Sequence, residues 1–311
     1  KLLRLFLINC YKRLLKSQDK RLKIYKALRW LPDGLMLRIQ YRIKTGYRLN
    51  LRNPKRYTEK LQWYKLYYRT PLLTRCSDKY TVRGYVRSKG YGKLLNKIYA
   101  VYDSADDIDF DKLPDSFAMK CSCGSGMNYF VMDKSKEDLV SLRKMAAGWL
   151  KQDTGYLIGR EWGYKNCRPR IIFERLLPRN AEGDIPDYKF FCFYGKVYCL
   201  YKMVDYVDNH SNGRLAFFDR NFNKLPYYRQ DYKPLTGKQE KPACFDEMLK
   251  AAKALSEDFP HVRVDFYDID GKAVFGEMTF YNAGGFFRFE PDEFDFIMGK
   301  QFMLPRKVRS S

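Results

Sequence analysis

Apolar residues along the first forty positions recur at helical spacing: Leu3, Phe6, Leu7, Cys10 and Leu14, then Leu22, Tyr25 and Leu28, on to Ile43. The pattern predicts a basic amphipathic helical stretch, interrupted at Leu31-Pro32-Asp33-Gly34, where proline and glycine break the run. Lys1–Cys10 is apolar, but Arg4 breaks it and basic residues follow, which does not read as a cleavable signal. Asn53-Pro54 opens a turn, and Tyr57–Tyr68 reads as a helix with Thr58 in the capping position. Another helix is expected from Asp78-Lys79 through Val86, and a further one over Asp138–Lys151. Leu113-Pro-Asp-Ser-Phe-Ala-Met-Lys120 looks like a turn entering a short strand, with a glycine-containing loop over Cys121–Met127.

From Arg170 the texture changes to short β-rich runs, Ile171–Leu176, Phe190–Tyr194, Val197–Tyr201 and Leu215–Asp219, with glycines and Asn/Asp pairs between several of them. Phe245–Asp258 reads as a helix, and Val262–Asp268 with Ala273–Met278 as a hairpin across Ile269-Asp270-Gly271-Lys272. Helices first, a mixed middle, then antiparallel sheet with a late helix is an α+β layout. No run approaches the roughly 18 apolar residues that a spanning helix needs.

Composition narrows the class. The 311 residues, 45% hydrophobic and 17% aromatic, exclude a disordered chain and suffice for one large domain or two lobes. Lys+Arg 59 against Asp+Glu 36 leaves a net charge of +23. Residues 1–100 hold 27 bases and four acids, so the whole excess lies there and the remainder is neutral. Such a segment suits an anionic membrane surface or an acidic polymer, or it is a packed helical prefix with a solvated face. Nucleic acid has no motif in its favour. The eight cysteines form no Cys-x-x-Cys pair, and His210 and His261 are too few for a histidine metal cluster. They read as reduced, packed thiols of a cytosolic protein.

The densest chemistry lies near the C-terminal end. Val262-Arg263-Val264-Asp265 and Gly276-Glu277-Met278-Thr279 put Asp265 and Glu277 near the facing ends of adjacent strands, where two carboxylates can share a hard divalent cation. Arg263, two positions from Asp265, points to the same face. One cation and two anions there cost desolvation unless a charged ligand completes them. Lys120 precedes Ser122-Cys123-Gly124-Ser125-Gly126, a loop whose backbone N–H groups can cradle phosphate, or an ordinary turn beside a lysine; it is not a Walker pattern. Ile171–Leu177 and Asp187-Tyr188-Lys189-Phe190 are strands with charge at one end.

In this order these elements resemble the ATP-grasp enzymes, specifically the TupA-like branch found with polysaccharide biosynthesis. The resemblance runs from about Asn53 to Phe302 through Glu59-Lys60-Leu61-Gln62-Trp63, Asp78-Lys79-Tyr80, Leu113-Pro114-Asp115-Ser116-Phe117, Lys120 with its loop, Asp187–Phe190 and Gly276–Phe280. It implies an ATP-grasp fold with the nucleotide between two lobes: a basic helical segment over residues 1–70, a small lobe over 71–172 and a large lobe over 173–311. ATP and Mg²⁺ are the implied cofactors. Lys79 and Lys120 would face the phosphates, Lys120 in a catalytic role, with Ser122, Gly124, Ser125 and Gly126 as the lid. Glu174, Arg175 and Leu176 would form the adenine-reading hinge, Asp187 would meet the ribose, and Lys189 a phosphate. Asp265 and Glu277 would hold magnesium, with Thr279 or Asn282 completing the set, and Arg263 would stabilise an oxyanion. Two positions depart from the family pattern: Thr279 stands where many members carry Asn, and Cys123 where the loop often has His.

The implied activity is ADP-forming ligation: a carboxylate is activated as an acyl phosphate for attack by an amine such as an amino acid. The carboxylate would be a uronic acid of a surface or capsular polysaccharide or its lipid-linked precursor. A sugar or polysaccharide kinase and a non-catalytic nucleotide-binding scaffold are the alternatives. The expected location is cytoplasmic, with peripheral contact to the inner face of the plasma membrane as the further reading that the basic first hundred residues suit. Met127, Tyr129 and Phe286-Phe287-Arg288-Phe289 either line the acceptor site or pack, and Asp208 and His210 lie in a polar loop over Asp205–Arg214.

Overall fold

A computed structural model describes residues 18–152, 154–207 and 212–306. Leu3–Leu14 of the helical prediction, and Asp208 and His210 of the loop, lie outside them. Helices α1 (Gln18–Ala27) and α2 (Asp33–Thr45) flank the Leu31–Gly34 break. Gly46, at φ 80°, ends α2 by donating its N–H to the carbonyl of Arg42. Helix α3 (Tyr57–Tyr67) is nearly surrounded by protein. Its cap is not Thr58: the Glu59 carboxylate receives the N–H groups of Asn50, Lys55 and Arg56 at 3.0–3.1 Å. Thr58 instead sends its N–H and Oγ1–H to the buried Asp295 carboxylate, at 2.9 and 2.7 Å.

Of the helix expected from Asp78-Lys79 through Val86, only α5 (Val82–Ser88) forms, starting at Val82; a separate α4 (Pro71–Ser77) precedes it, with Asp78-Lys79 at their junction. Asp78 Oδ1 accepts the N–H groups of Tyr80 and Thr81 in that turn, at 2.7 and 2.8 Å, a local bond that competes with helix.

Strands β1 (Ile98–Tyr102), β2 (Phe117–Cys121), β3 (Asn128–Val131) and β4 (Ile171–Glu174) form an antiparallel sheet in the order β1-β4-β2-β3. Helix α6 (Leu139–Leu150) is capped by Asp138 and buries Leu142 and Ala146 in that sheet's own core, with Phe117, Met119 and Phe173. A short α7 (Thr154–Gly159) follows.

The larger sheet contains β5 (Asp187–Phe193), β6 (Lys196–Val204), β7 (Arg214–Asp219), β9 (Lys233–Pro234), β10 (Val262–Ile269) and β11 (Lys272–Thr279). Its order is β11-β10-β5-β6-β7-β9, antiparallel except for β7 with β9. The β8 ribbon (Tyr228–Arg229) pairs with β12 (Phe289–Glu290) beside it. Asp270 and Gly271, at φ 52° and 75°, make the two-residue turn that pairs Ile269 with Lys272. Helix α8 (Phe245–Ser256) covers one face, with Phe245 against Phe190. The other face carries Phe191 and Phe193 against Tyr57 of α3, and α3 packs on α9 (Glu293–Gln301).

Candidate active site

Alternation along the strands decides which side chains meet. His261, Arg263 and Asp265 lie on the α3 side of the sheet, as do Asp187, Lys189 and Phe191. Register pairs Asp265 with Lys189 on one side and with Glu277 on the other, and Arg263 with Thr279. A bulge at Gly276 brings Glu277 opposite Asp265. A Cβ at 276 would lie 3.1 Å from the Asp265 carbonyl oxygen and 3.2 Å from the Tyr267 ring. The row thus passes from an aromatic floor to a charged end.

Arg263 organises that end. Its Nε donates to Asp265 Oδ1 at 2.7 Å, and its Nη2 to Asp265 Oδ2 at 2.6 Å. Nη2 also reaches Thr279 Oγ1 at 3.0 Å and Glu277 Oε1 at 3.2 Å. Nη1 donates to Asn282 Oδ1 and, at 3.3 Å, to Tyr201 Oη. Lys189 Nζ pairs with Asp187 and, at 2.8 Å, with Asp265 Oδ2. Thr279 Oγ1 donates to Glu277 Oε1 at 2.7 Å, so its oxygen orients the carboxylate. Two buried atoms of this network, Asp187 Oδ1 and Asn282 Nδ2, have no hydrogen-bond partner.

Burial pushes the Asp187 carboxyl up to about 6, against Lys189, while the nearby Asp265 charge adds to the rise. Burial alone would lower Lys189, but Asp187 and Asp265 hold it well above its usual range. Glu277 behaves differently: desolvation raises it, yet Lys79, Arg263 and Lys189 outweigh that and bring it down to about 2. Its side chain is 41% exposed, against 1% for Asp265. An ionised, accessible carboxylate beside a buried one fits a divalent cation. Thr279 Oγ1 and Asn282 Oδ1 both accept from Arg263, as both oxygens of Asp265 do.

The Gly-Ser-Gly loop is closed by the Cys121 N–H on the Met127 carbonyl at 2.9 Å. Gly124 and Gly126 stand at φ 88° and 76°, the left-handed region in which only glycine is unstrained. Ser125 and Gly126 are exposed, while Ser122 is buried. Ser122 Oγ and Cys123 Sγ both donate to Asp78 Oδ2, at 2.9 and 3.2 Å. The thiol therefore serves as a donor at the position where the family pattern has an imidazole. Lys79 joins the loop through its N–H on the Ser122 carbonyl at 2.9 Å and its Nζ on the Gly124 carbonyl at 2.6 Å.

Lys120 makes a separate pair. Its Nζ lies 2.8 Å from Glu174 Oε2, and Arg83 lies 3.7 Å from Oε1. The Glu174 side chain is thereby engaged at the end of β4. Arg175 gives its N–H to the Lys97 carbonyl and takes Asn96 Nδ2 on its own carbonyl, both at 2.8 Å. Leu176 follows half-buried.

The structure thus joins Arg263, Asp265, Glu277, Thr279, Asn282, Asp187 and Lys189 in one network. It sets Lys79 with Ser122 and Gly124 in a second group, which acts on Glu277 by charge, and Lys120 with Glu174 in a third. Sequence reasoning did not find Tyr201, whose position follows from its pairing with Lys189. It also missed Lys65, Gln62 and Glu161 around the turn that carries Asn282. Lys65 Nζ and Gln62 Nε2 donate to the Gly284 carbonyl at 2.7 and 3.0 Å, and Ala283, Gly284 and Gly285 all have positive φ. Burial drives Lys65 down and Glu161 up, each to about 7, with the opposite charge of the other resisting. Gln62 lies in the quoted 59–63 motif; Lys65 and Glu161 had no such signal. Cys167, Cys123 and Asp78 bring their ligand-type atoms within 4.8 Å of one another, a grouping that their spacing does not reveal.

The TupA-like ATPgrasp family model matches residues 59–303. No curated relative matches. Among solved structures, the L-amino acid ligase from Bacillus licheniformis is 14% identical over 88% of this chain and 57% of its own, with a TM-score of 0.44. The ATP complex of the D-alanine–D-alanine ligase from Bacillus anthracis is 17% identical over 66% and 54%, TM-score 0.41. The phosphoribosylamine–glycine ligase from Thermotoga maritima is 11% identical over 67% and 48%, TM-score 0.38. The chain spans about half the length of each.

Proposed function

We propose that this chain, which belongs to the TupA-like ATP-grasp family, is an ATP-dependent, ADP-forming ligase that joins a carboxylate to an amine. One observation carries the reading: the accessible, ionised Glu277 stands at the edge of the Arg263–Asp265–Lys189 network, with Lys79, which is hydrogen-bonded to the glycine loop, bearing on it. A site built in this way holds fixed charges of both signs beside an accessible carboxylate, which a nucleotide with its metal would complete.

In the proposed reaction a substrate carboxylate oxygen attacks the γ-phosphorus, the bond to the bridging oxygen breaks, and ADP leaves. The amine then attacks the acyl carbon, phosphate departs with the C–O electron pair, and the nitrogen gives up a proton. Lys79, Lys120 and Lys189 offset charge on the transferred group. Magnesium, held by Asp265 and Glu277, would shield phosphate oxygens when bound. Arg263 keeps the carboxylates and Asn282 in place, and its longest contact, to Tyr201 Oη at 3.3 Å, is the one an oxyanion would replace. Asn282 Nδ2 and Asp187 Oδ1 supply a further donor and acceptor for substrate. Ser122–Gly126 would close over the phosphates, keeping water from the acyl phosphate, and Glu174–Leu176 would border adenine.

The proposed acceptor is an acidic saccharide, a uronate of a surface polysaccharide or its precursor. Its support is the basic excess of residues 1–100. The test begins with calorimetric titration of a non-hydrolysable ATP analogue, with and without Mg²⁺, on wild type and Glu277→Gln. Magnesium-dependent binding lost in the variant supports the reading. Mass spectrometry of uronates incubated with amino acids and ATP then decides the reaction. Amide with ADP is expected, a sugar phosphate without amide would make the protein a kinase, and binding without ADP would leave a scaffold.

A further inference from the structure

We propose that the outer face of α1 and α2 docks on an anionic lipid bilayer, lying in the interface. The two helices carry more apolar surface than their packing uses. Their inner stripe, Leu22, Tyr25, Leu28, Leu31 and Met36, closes on Leu157 and Ile158 of α7, and Gln40 Nε2 donates to the Ile158 carbonyl at 2.7 Å. A second set points away from the protein: Trp30 is 77% exposed, Leu35 45%, and Ile24 and Ile39 41% each. These are four of the twelve most exposed bulky apolar side chains among the described residues, and they fall within positions 24–39.

Cations interleave with them. Leu35, Arg38, Ile39 and Arg42 recur at three- and four-residue spacing, so they share one exposed stripe of α2. Lys23 and Lys26 are exposed on α1. Residues 22–50 hold seven bases and a single acid. That acid, Asp33, is turned inward, accepting Tyr156 Oη at 2.8–2.9 Å and facing Arg160 at 3.4 Å. The outer face is therefore cationic and apolar at once. Charge alone would suit any polyanion; an exposed tryptophan with Ile24, Leu35 and Ile39 among the bases suits the boundary between headgroups and acyl chains. No helix among the described residues is long and apolar enough to cross a membrane.

The experiment uses the whole chain and sediments it with phosphatidylglycerol–phosphatidylcholine vesicles, against phosphatidylcholine alone. Wild type is expected to bind the anionic vesicles at least tenfold more tightly, with a blue shift of tryptophan emission that Trp30→Phe abolishes. Arg38→Gln with Arg42→Gln should weaken binding roughly fivefold per cation removed, at an unchanged thermal midpoint. Trp30→Ser, in the exposed turn between α1 and α2, should weaken it independently. Wild type that stays in solution with anionic vesicles overturns the proposal, as does binding that the variants leave intact. Vesicle binding competed away by duplex DNA with Trp30 emission unmoved would make the face a general polyanion site. Trp30 already shielded from an aqueous quencher without vesicles would mean that another segment of the chain covers it.

Discussion

His261 lets one buried group be read against pH. Its Nδ1 lies 3.1 Å from the Cys192 carbonyl, which can only accept, so Nδ1 carries the proton. Nε2 then accepts from Tyr57 Oη at 2.9 Å. Tyr57, Phe193 and Phe302 ring the imidazole at 5.0–5.2 Å between centroids. Desolvation, with a smaller push from Arg263, lowers His261 from 6.5 to about 3. The unfolded chain therefore binds the proton first as pH falls. The stability His261 contributes is complete above about 6.5 and is lost progressively toward 3. With these two values, RT ln[(1 + 10^(6.5−pH))/(1 + 10^(3−pH))] gives a loss of about 2 kcal/mol at about pH 5. Asp187 and Asp295, whose carboxyls burial raises to about 6, shift with the opposite sign. Comparing wild type with His261→Gln cancels them. Urea unfolding of both at about pH 7.5 and about pH 5 should show the stability difference between the chains change by about 2 kcal/mol, with wild type the one that weakens. A difference constant to within about 0.5 kcal/mol would refute the buried neutral imidazole.

Thr58→Val removes the hydroxyl that donates to Asp295 Oδ2 and bonds Tyr41 Oη at 2.8 Å; denaturant unfolding should register a loss of about 2–3 kcal/mol, part of it regained by Asp295→Asn in the same chain. Gly126→Ala meets nothing within 4 Å but must hold φ 76°, so it should cost about 1 kcal/mol of loop strain, seen as weaker nucleotide binding with little change in melting temperature. Lys120→Met leaves Glu174 with Arg83 at 3.7 Å and should destabilise by about 1–3 kcal/mol. Adding Glu174→Gln should restore stability but not nucleotide affinity, and recovery of both would remove Lys120 from the phosphate site.

What the sequence disclosed, and what it hid, follows the range of the interactions. The β10–β11 hairpin was legible because Asp270-Gly271 suits two consecutive left-handed residues. Placing Arg263 and Asp265 on one face needed only the two-residue period. The glycine loop announced itself because Gly124 and Gly126 stand where a side chain is strained. By contrast, β1 is half-buried at every residue, without alternation to mark it. Asp78 looked like a helix start because short polar residues cap helices, yet its second carboxylate oxygen serves Ser122 and Cys123, some 44 residues away. No local rule predicts that choice between cap and anchor. The same limit applies to charge. From spacing alone Arg263 could as well have had a free edge for substrate, but Tyr201 from β6 and Asn282 from the strained turn fill it. Glu277 becomes the accessible carboxylate because Thr279 and Arg263 both bind the same oxygen, Oε1, and because Lys79 arrives from another part of the fold. Residue types and strand period therefore identify the carboxylates, whereas their ionisation and exposure depend on cross-strand register and on the loop. A variant that shifts register at Gly276 should consequently alter Glu277 more than Asp265, although the two face each other across one pair of strands.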